Sequence, residues 1–474
     1  MNTIKLPKMK HPINIPSFLG FAGLFYILFF FSCKEKNSIR NTDQDKLTIQ
    51  IETSLDKLVN VWYPKTIDSV NGGFWSDFNY KWNKEGKQNK MLVSQARHVW
   101  TTSILADYYK DIKYQEMAAH GYRFLRDKMW DTENGGFHTL LGLEDDSLKI
   151  LSTGKSAYGN SFAIYGLAGY YKVSNDLEAL DLAKKTFYWL EEHSHDSIYG
   201  GYFDVLKQDG SWMLDVNEND KDYDNFIRKD WKDQNSSIHL LESFTALYEV
   251  WPDSLVKQRL EELLLLIRDT ITTEKGYLTL HLERDWKPVS LRDSSETYRA
   301  AHFNLDHVSF GHDVETAFLM LEASHVMGLQ NDTVTASKAK KMVDHALAWG
   351  WDDEKGGFYD GGYYWDASGK RTIENRAKVW WTEAEGLNSL LLMAELHPEE
   401  KRYYELFEKQ WGYLDNYLID HTYGGWYHEG LDTDPEAKND TKAQIWKVNY
   451  HNIRSLINVI QMLKEEFALT ERQH

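Results

Sequence analysis

The sequence has little cysteine, little proline and no excess of positive charge. Cys33 is the only cysteine among 474 residues, so a folded domain that follows it must be held together by its core and not by disulfides. The formal net charge is −18, and no basic run follows the first dozen residues, so nucleic-acid binding is not expected. There are only 8 prolines and no long segments of alternating polarity, which favours a helical fold.

The first 33 residues have the pattern of a secretory signal. Three lysines lie within the first ten residues, and an apolar run from Phe18 to Phe31 follows, too short for a comfortable transmembrane span. The run ends at Ser32-Cys33 and resembles a bacterial lipoprotein signal. We expect a signal peptide over 1–33 with Cys33 as the lipidation site, a polar tether over 34–46, and a location in the cell envelope. An uncleaved signal anchor is the alternative.

A Gly-Gly-aromatic motif recurs along the rest of the chain. It is "NGGFW" from residue 71, "NGGFH" from 134, "YGGYF" from 199, "KGGFY" from 355 and "YGGWY" from 423, with a degenerate "EKGYL" from 274. Segments of helical periodicity lie between the motifs, at 94–110, 161–173, 177–193, 238–251, 256–271 and 382–396. Six units of about 70 residues predict an all-α (α/α)6 barrel over 47–470. An open solenoid is the alternative, but its polar capping repeats are not evident.

Each unit also carries a polar residue in a similar phase, 25 to 39 residues after its glycines. These residues are Arg97, Asn160, His239, His312, Glu385 and His451. Each is expected near the start of the helix that follows the turn. Because the starts of these helices converge at one end of a closed ring, we expect one pocket to contain all six side chains.

Three chemistries suit such a pocket. The pairs His239/Glu242 and His312/Glu315 offer metal ligands, although Arg97 would place a positive charge beside the ion. A glycosidase would need two carboxylates flanking the scissile bond, and Glu315 and Glu385 are the available pair.

The third chemistry is proton transfer at C2 of an open-chain aldose. Two histidines on opposite walls could remove and return the proton, while the arginine stabilises the enediolate. The residue types alone leave all three open.

Several motifs resemble those of the N-acylglucosamine 2-epimerase superfamily, and within it the cellobiose 2-epimerase family. They are "KMLVSQARHVW" (90–100), "NSSIHLLE" (235–242), "LDHVSFGHDVE" (305–315), "KVWWTEAEG" (378–386) and "WKVNYHNIR" (446–454). The resemblance implies an (α/α)6 barrel that works without a metal or other cofactor. It also implies epimerisation at C2 of the reducing-end glucose or mannose of β-1,4-linked disaccharides, by a protein that we expect to be monomeric.

The resemblance also assigns roles to residues. His312 and His451 match the acid/base pair, His239 the histidine of ring opening and binding, Arg97 the arginine near O2, and Glu315 the glutamate that supports its histidine. Asn235, Trp381, Glu385 and Trp446 match substrate-binding positions, and we expect Tyr158 and Asn160 to bind the substrate as well. An aldose–ketose isomerase and a non-catalytic carbohydrate-binding lipoprotein remain as alternatives.

Two residues depart from the family pattern, Glu383 in place of a glutamine and Asn449 in place of a proline. We expect both near the disaccharide site, which leaves the preferred substrate open.

Overall fold

The computed structural model describes residues 42–144, 147–213, 230–329, 331–364 and 371–471. The predicted signal segment, Cys33 and the first part of the tether lie outside the described residues. The first helix begins at Thr42, so residues 42–46 of the predicted tether are helical. Polarity alone misplaced this boundary, because a solvated first helical turn has the same composition as a tether. Within the described residues, none of the helices combines the length and apolarity of a membrane span.

The described residues form thirteen α-helices. These are α1 Thr42–Trp62, α2 Leu92–Tyr109, α3 Ile112–Phe124, α4 Ala157–Ser174, α5 Leu177–His193, α6 Gln234–Val250, α7 Ser254–Leu266, α8 Glu296–Ala301, α9 Phe310–Val326, α10 Thr333–Gly350, α11 Trp380–Leu396, α12 Arg402–Tyr413 and α13 Tyr450–Glu471. A π-helical turn prolongs α3, α7 and α12, at Leu125–Met129, Ile267–Ile271 and Leu414–Leu418. Two short 3-10 helices span Phe303–Leu305 and Pro435–Asn439.

Six helices form a closed inner ring. Along the ring α2 packs against α4, α4 against α6, α6 against α9, α9 against α11, and α11 against α13, which returns to α2. The outer layer consists of α1, α3, α5, α7, α10 and α12. The predicted (α/α)6 barrel is confirmed. The layers differ in burial, since α11 buries 13 of its 17 residues, as expected for a helix enclosed on all sides.

Short antiparallel strands lie at one end of the barrel. They are β1 Lys90–Met91, β2 Leu140–Glu144, β3 Ser147–Ile150, β4 Gly154–Ser156, β5 Val205–Lys207, β6 Lys232–Asp233, β7 His281–Leu282, β8 Val308–Ser309, β9 Gly361–Tyr364 and β10 Arg371–Asn375. They pair in the orders β1-β2-β3, β10-β9-β8, β4-β5 and β6-β7. Because β1, β4, β6 and β8 run directly into α2, α4, α6 and α9, the strands mark the end where the inner helices begin.

The Gly-Gly turns join outer helices to these strands. In the first turn the Asp68 carboxylate accepts from two backbone N–H groups and pairs with Lys90 at 2.8 Å. Gly73 has φ +67°, and a Cβ there would lie 2.4 Å from Gln95 Oε1, so only glycine fits. Buried lysines pair with the turn aspartates in four further units, as Lys155–Asp131, Lys232–Asp196, Lys378–Asp352 and Lys442–Asp420.

Candidate active site

The starts of the inner helices bring most of the predicted residues together. Arg97 lies on α2, His239 on α6, His312 on α9, Glu385 on α11 and His451 on α13, each within the first six residues of its helix. The regular phase of these residues therefore does reflect one end of a ring.

Asn160 is the exception, because it stabilises a Gly-Gly turn. Its side chain is fully buried, and its amide accepts from Phe137 N and donates to Ser156 O, both at 2.9 Å. The predicted substrate contact of Asn160 is therefore wrong. Two residues further along α4, the Phe162 ring lies 4.2 Å from the Arg97 guanidinium and 4.8 Å from the His239 ring.

In other units too, the residue that binds a turn lies two positions before the residue that belongs to the pocket. Turn N–H groups are bound by Gln95, Asp313 and Glu383, while Arg97, Glu315 and Glu385 follow two positions later. Successive residues of a helix project 100° apart, so a shift of two places the second side chain on another face. The distance of a residue from the repeated glycines therefore does not show whether it binds a turn or belongs to the pocket.

The two departures from the family pattern, Glu383 and Asn449, are both fully buried in protein contacts. The Glu383 carboxylate accepts from Phe358 N at 3.1 Å and from Gln410 Nε2 at 2.7 Å. Burial raises the pKa of Glu383 to about 8, although the bond from Gln410 opposes the shift. The Asn449 side chain accepts from the Tyr63 hydroxyl at 3.3 Å. Neither side chain is available to a sugar, contrary to expectation.

His451 is held by a carboxylate. Its Nδ1 lies 2.7 Å from Glu385 Oε1 and 3.7 Å from Glu315 Oε1. Because a carboxylate only accepts, Nδ1 carries a hydrogen and the Nε2 lone pair is left for the pocket. Glu385 is fully buried, so it positions His451. The substrate contact that was predicted for Glu385 is therefore not found. Burial lowers the pKa of His451 well below its usual value, against the opposing effect of Glu315.

Arg454 binds three glutamates beneath the histidines. Its Nη2 lies 2.5 Å from Glu315 and 2.7 Å from Glu385, and its Nη1 contacts Glu242. Glu242 also accepts from His239 Nδ1 at 2.8 Å. Burial alone would raise the pKa of Glu242, but Arg454 and the bond from His239 lower it to about 2. This arginine was not singled out from the sequence.

The predicted support of His312 by Glu315 is wrong. Glu315 points to Arg454 and His451, whereas His312 Nδ1 lies 3.2 Å from Gln234 Nε2, an amide that the sequence analysis missed. Burial, followed by the neighbouring histidines and Arg97, lowers the pKa of His312 well below its usual value. Both shifts favour the neutral imidazole, the form that a general base must have.

Arg97 is a cation without a carboxylate partner among the described residues. Its guanidinium donates to the Tyr158 hydroxyl at 3.1 Å and lies over the rings of Phe162 and Tyr450, at 4.2 and 4.9 Å. Its Nε is buried without a hydrogen-bond acceptor in the part of the chain that the structure describes. An oxyanion of a ligand would satisfy this charge.

Trp381 contacts both candidate acid/base residues. Its ring centroid lies 4.7 Å from that of His312 and 5.9 Å from that of His451. Gly311 permits this approach, since a Cβ there would lie 2.6 Å from the indole. Asn235 is half-buried at the start of α6, and Trp446 is half exposed before α13. Sugar contacts of Tyr158, Asn235, Trp381 and Trp446 stay predictions.

The carboxylates fit neither alternative chemistry. Glu315, Glu385 and His451 have potential ligand atoms within 4.8 Å of one another. However, the Arg454 guanidinium bonds both carboxylates and provides the positive charge that a metal ion would bring. For the same reason Glu315 and Glu385 face one guanidinium and do not flank a space for a glycosidic bond.

Comparison with known proteins identifies similar chains. Residues 73–455 match the profile of the N-acylglucosamine 2-epimerase (GlcNAc 2-epimerase) family. A cellobiose 2-epimerase of Bacteroides fragilis is 26% identical over 417 residues, covering 85% of this chain and 96% of the relative. The structure of a cellobiose 2-epimerase from Spirochaeta thermophila has a TM-score of 0.74 at 26% identity and covers 90% of this chain and 99% of its own. A D-mannose isomerase of Marinomonas mediterranea is 23% identical over 418 residues, with coverages of 87% and 97%.

Proposed function

Because the chain belongs to the N-acylglucosamine 2-epimerase family, we propose that it is a carbohydrate 2-epimerase similar in activity to the cellobiose 2-epimerases. Its substrates are β-1,4-linked disaccharides such as cellobiose, mannobiose or lactose, and the reaction inverts C2 of the reducing-end glucose or mannose. The observation that carries this proposal is the pair of histidines, His312 and His451. Both contact the same indole, beside an arginine that has no carboxylate partner among the described residues.

In the proposed reaction one imidazole removes a proton from C2 and the other delivers a proton to C2. One histidine, neutral with a lone pair on Nε2, removes the C2 proton of the open-chain sugar and becomes an imidazolium. The charge of the resulting enediolate is stabilised by Arg97. The other histidine begins as an imidazolium, returns a proton to the opposite face of C2 and becomes neutral. His239, which is held by Glu242 and lies beside Tyr158, assists ring opening in this mechanism.

An aldose–ketose isomerase is the second candidate. The similarity to a D-mannose isomerase supports it, and the same enediolate would serve both reactions. An isomerase returns the proton to C1, whereas an epimerase returns it to C2. A carbohydrate-binding protein without activity would have no need of three histidines converging on one pocket.

Incubation with cellobiose in D₂O tests the proposal. Product analysis by sugar chromatography and NMR should find glucosylmannose with one deuterium at C2 and none at C1. A 2-ketose product would indicate the isomerase, and an unchanged sugar would indicate a binding protein. Glucosylmannose that retained the original hydrogen at C2 would rule out the roles of His312 and His451.

We propose further that the enzyme is a lipoprotein of the cell envelope. The support is the apolar run from Phe18 to Phe31 followed by Cys33, the only cysteine of the chain. Lipid on Cys33 would attach the protein to a membrane, where it would act on oligosaccharides in the periplasm or at the cell surface.

A further inference from the structure

The two acid/base histidines have opposite partners at Nδ1. The carboxylate of Glu385 faces His451 Nδ1 at 2.7 Å, so this nitrogen carries the hydrogen and Nε2 has the lone pair. The amide nitrogen of Gln234 faces His312 Nδ1 at 3.2 Å. Because an amide nitrogen only donates, His312 Nδ1 must accept, and the hydrogen of a neutral His312 lies on Nε2.

Gln234 is the first residue of α6, and its side chain is buried. Its backbone N–H donates to Leu280 O at 3.0 Å, which fixes the position of the residue. Its side-chain oxygen is buried without a hydrogen-bond donor among the described residues. A half-turn of the amide would exchange its two ends and bring this oxygen to His312 Nδ1.

We propose that Gln234 is the positioning residue of His312, and that a half-turn of its amide switches His312 between the Nε2–H tautomer of the free protein and the Nδ1–H forms used in proton transfer. The inference rests on the proposed two-histidine epimerisation. When His312 is the base, it carries hydrogen on Nδ1 and takes the C2 proton on Nε2. When it is the acid, it is an imidazolium with hydrogen on both nitrogens. Both states need an acceptor at Nδ1.

No other described contact supplies that acceptor. The charged and titratable groups that act most strongly on His312 are Arg97 from α2, His239 from α6, His307 from the segment before β8, and His451 from α13. Each of them disfavours the imidazolium of His312, and none is a carboxylate. The oxygen of the Gln234 amide is therefore the group that can stabilise hydrogen on Nδ1.

Two substitutions separate positioning from packing. Gln234→Leu fills the space but leaves Nδ1 without a partner, so kcat should fall by about tenfold or more while KM changes little. Gln234→Glu can only accept, so it should keep kcat within about threefold of the wild type. Its carboxylate should also raise the pKa of His312 and shift the pH profile of kcat/KM upward.

A matched control exists away from the pocket. Gln208 Nε2 lies 2.9 Å from His138 Nδ1, an amide–imidazole pair of the same kind in the β5 turn. Gln208→Leu should leave kcat and the pH profile unchanged. Wild-type kcat in Gln234→Leu would overturn the proposal. So would equal impairment of Gln234→Leu and Gln234→Glu without a shift in the pH profile, because Gln234 would then only fill space.

Nitrogen-15 NMR of the free protein gives a readout that does not depend on activity. The His312 signals are assigned by their loss in His312→Ala, and they should show hydrogen on Nε2 and a bare Nδ1. Hydrogen on Nδ1 in the free protein would contradict the proposed switch. If the wild type failed to place deuterium at C2 of cellobiose, the proposed function would fail, whereas the tautomer measurement would stand by itself.

Discussion

Replacing Glu385 by glutamine tests how His451 is made a base. Glu385 Oε1 accepts from His451 Nδ1 and from Arg454, both at 2.7 Å, and the carboxylate is fully buried. Glu385→Gln keeps the shape and removes one negative charge. Its amide can also turn its donor end to Nδ1 and so favour the wrong tautomer of His451.

The size of the effect follows from the bond that is lost. A hydrogen bond to a charged group contributes about 1.5–3 kcal/mol, and this bond strengthens when His451 becomes an imidazolium. Glu315, 3.7 Å from Nδ1, keeps its charge and can compensate only in part. We therefore expect kcat to fall by about 10- to 150-fold, with a smaller change in KM.

The assay is the initial rate of epimer formation from cellobiose, with deuterium incorporation at C2 as the second readout. Glu383→Gln is the control, because it is the same substitution two residues earlier on α11, at an equally buried side chain. It should leave kcat within about twofold, since Glu383 binds the turn at Phe358 and not the histidine. Equal rates for the two variants, whether both active or both impaired, would refute the assigned role of Glu385.

Further predictions concern the other histidine, the turn and the anchor. His312→Ala and His451→Ala should each lower kcat by about 10²–10⁴-fold with an unchanged circular dichroism spectrum, and a variant with more than a tenth of wild-type turnover would lose its assigned role. Because the pKa of Glu383 is raised to about 8 in the folded protein, its stabilising contribution falls as pH rises from its unfolded pKa toward 8. Relative to Glu383→Gln, the wild type should therefore lose about 2 kcal/mol of unfolding free energy between pH 5 and pH 7 in urea titrations, whereas a constant difference would contradict the raised pKa. Cys33→Ala should release the protein from membranes with kcat unchanged, and persistent membrane association would require another attachment.

The repeat made the fold predictable, and it predicted part of the site. Gly-Gly turns at regular intervals required a helical hairpin per unit, and the inner helices confirmed that their starts meet at one end. The same regularity hid a second layer of polar residues, such as Asn160 and Glu383, that bind the turns. Both layers repeat with the units, so spacing from the glycines does not distinguish a catalytic position from one that stabilises a turn.

The two His-x-x-Glu pairs explain why contacts between side chains could not be predicted from spacing. His239 and Glu242 do bond across one helical turn, as their spacing suggests. His312 and Glu315 have the same spacing on α9, but they do not bond each other. Glu315 is bound by Arg454 from α13, and His312 contacts the side-chain amide of Gln234 from α6. A buried carboxylate pairs with the nearest cation that the ring provides, because a buried carboxylate without a partner costs several kcal/mol. The barrel therefore decides whether a side chain bonds a neighbour three residues away or a partner 78 to 139 residues away. This choice also decides which histidine is bonded to a carboxylate.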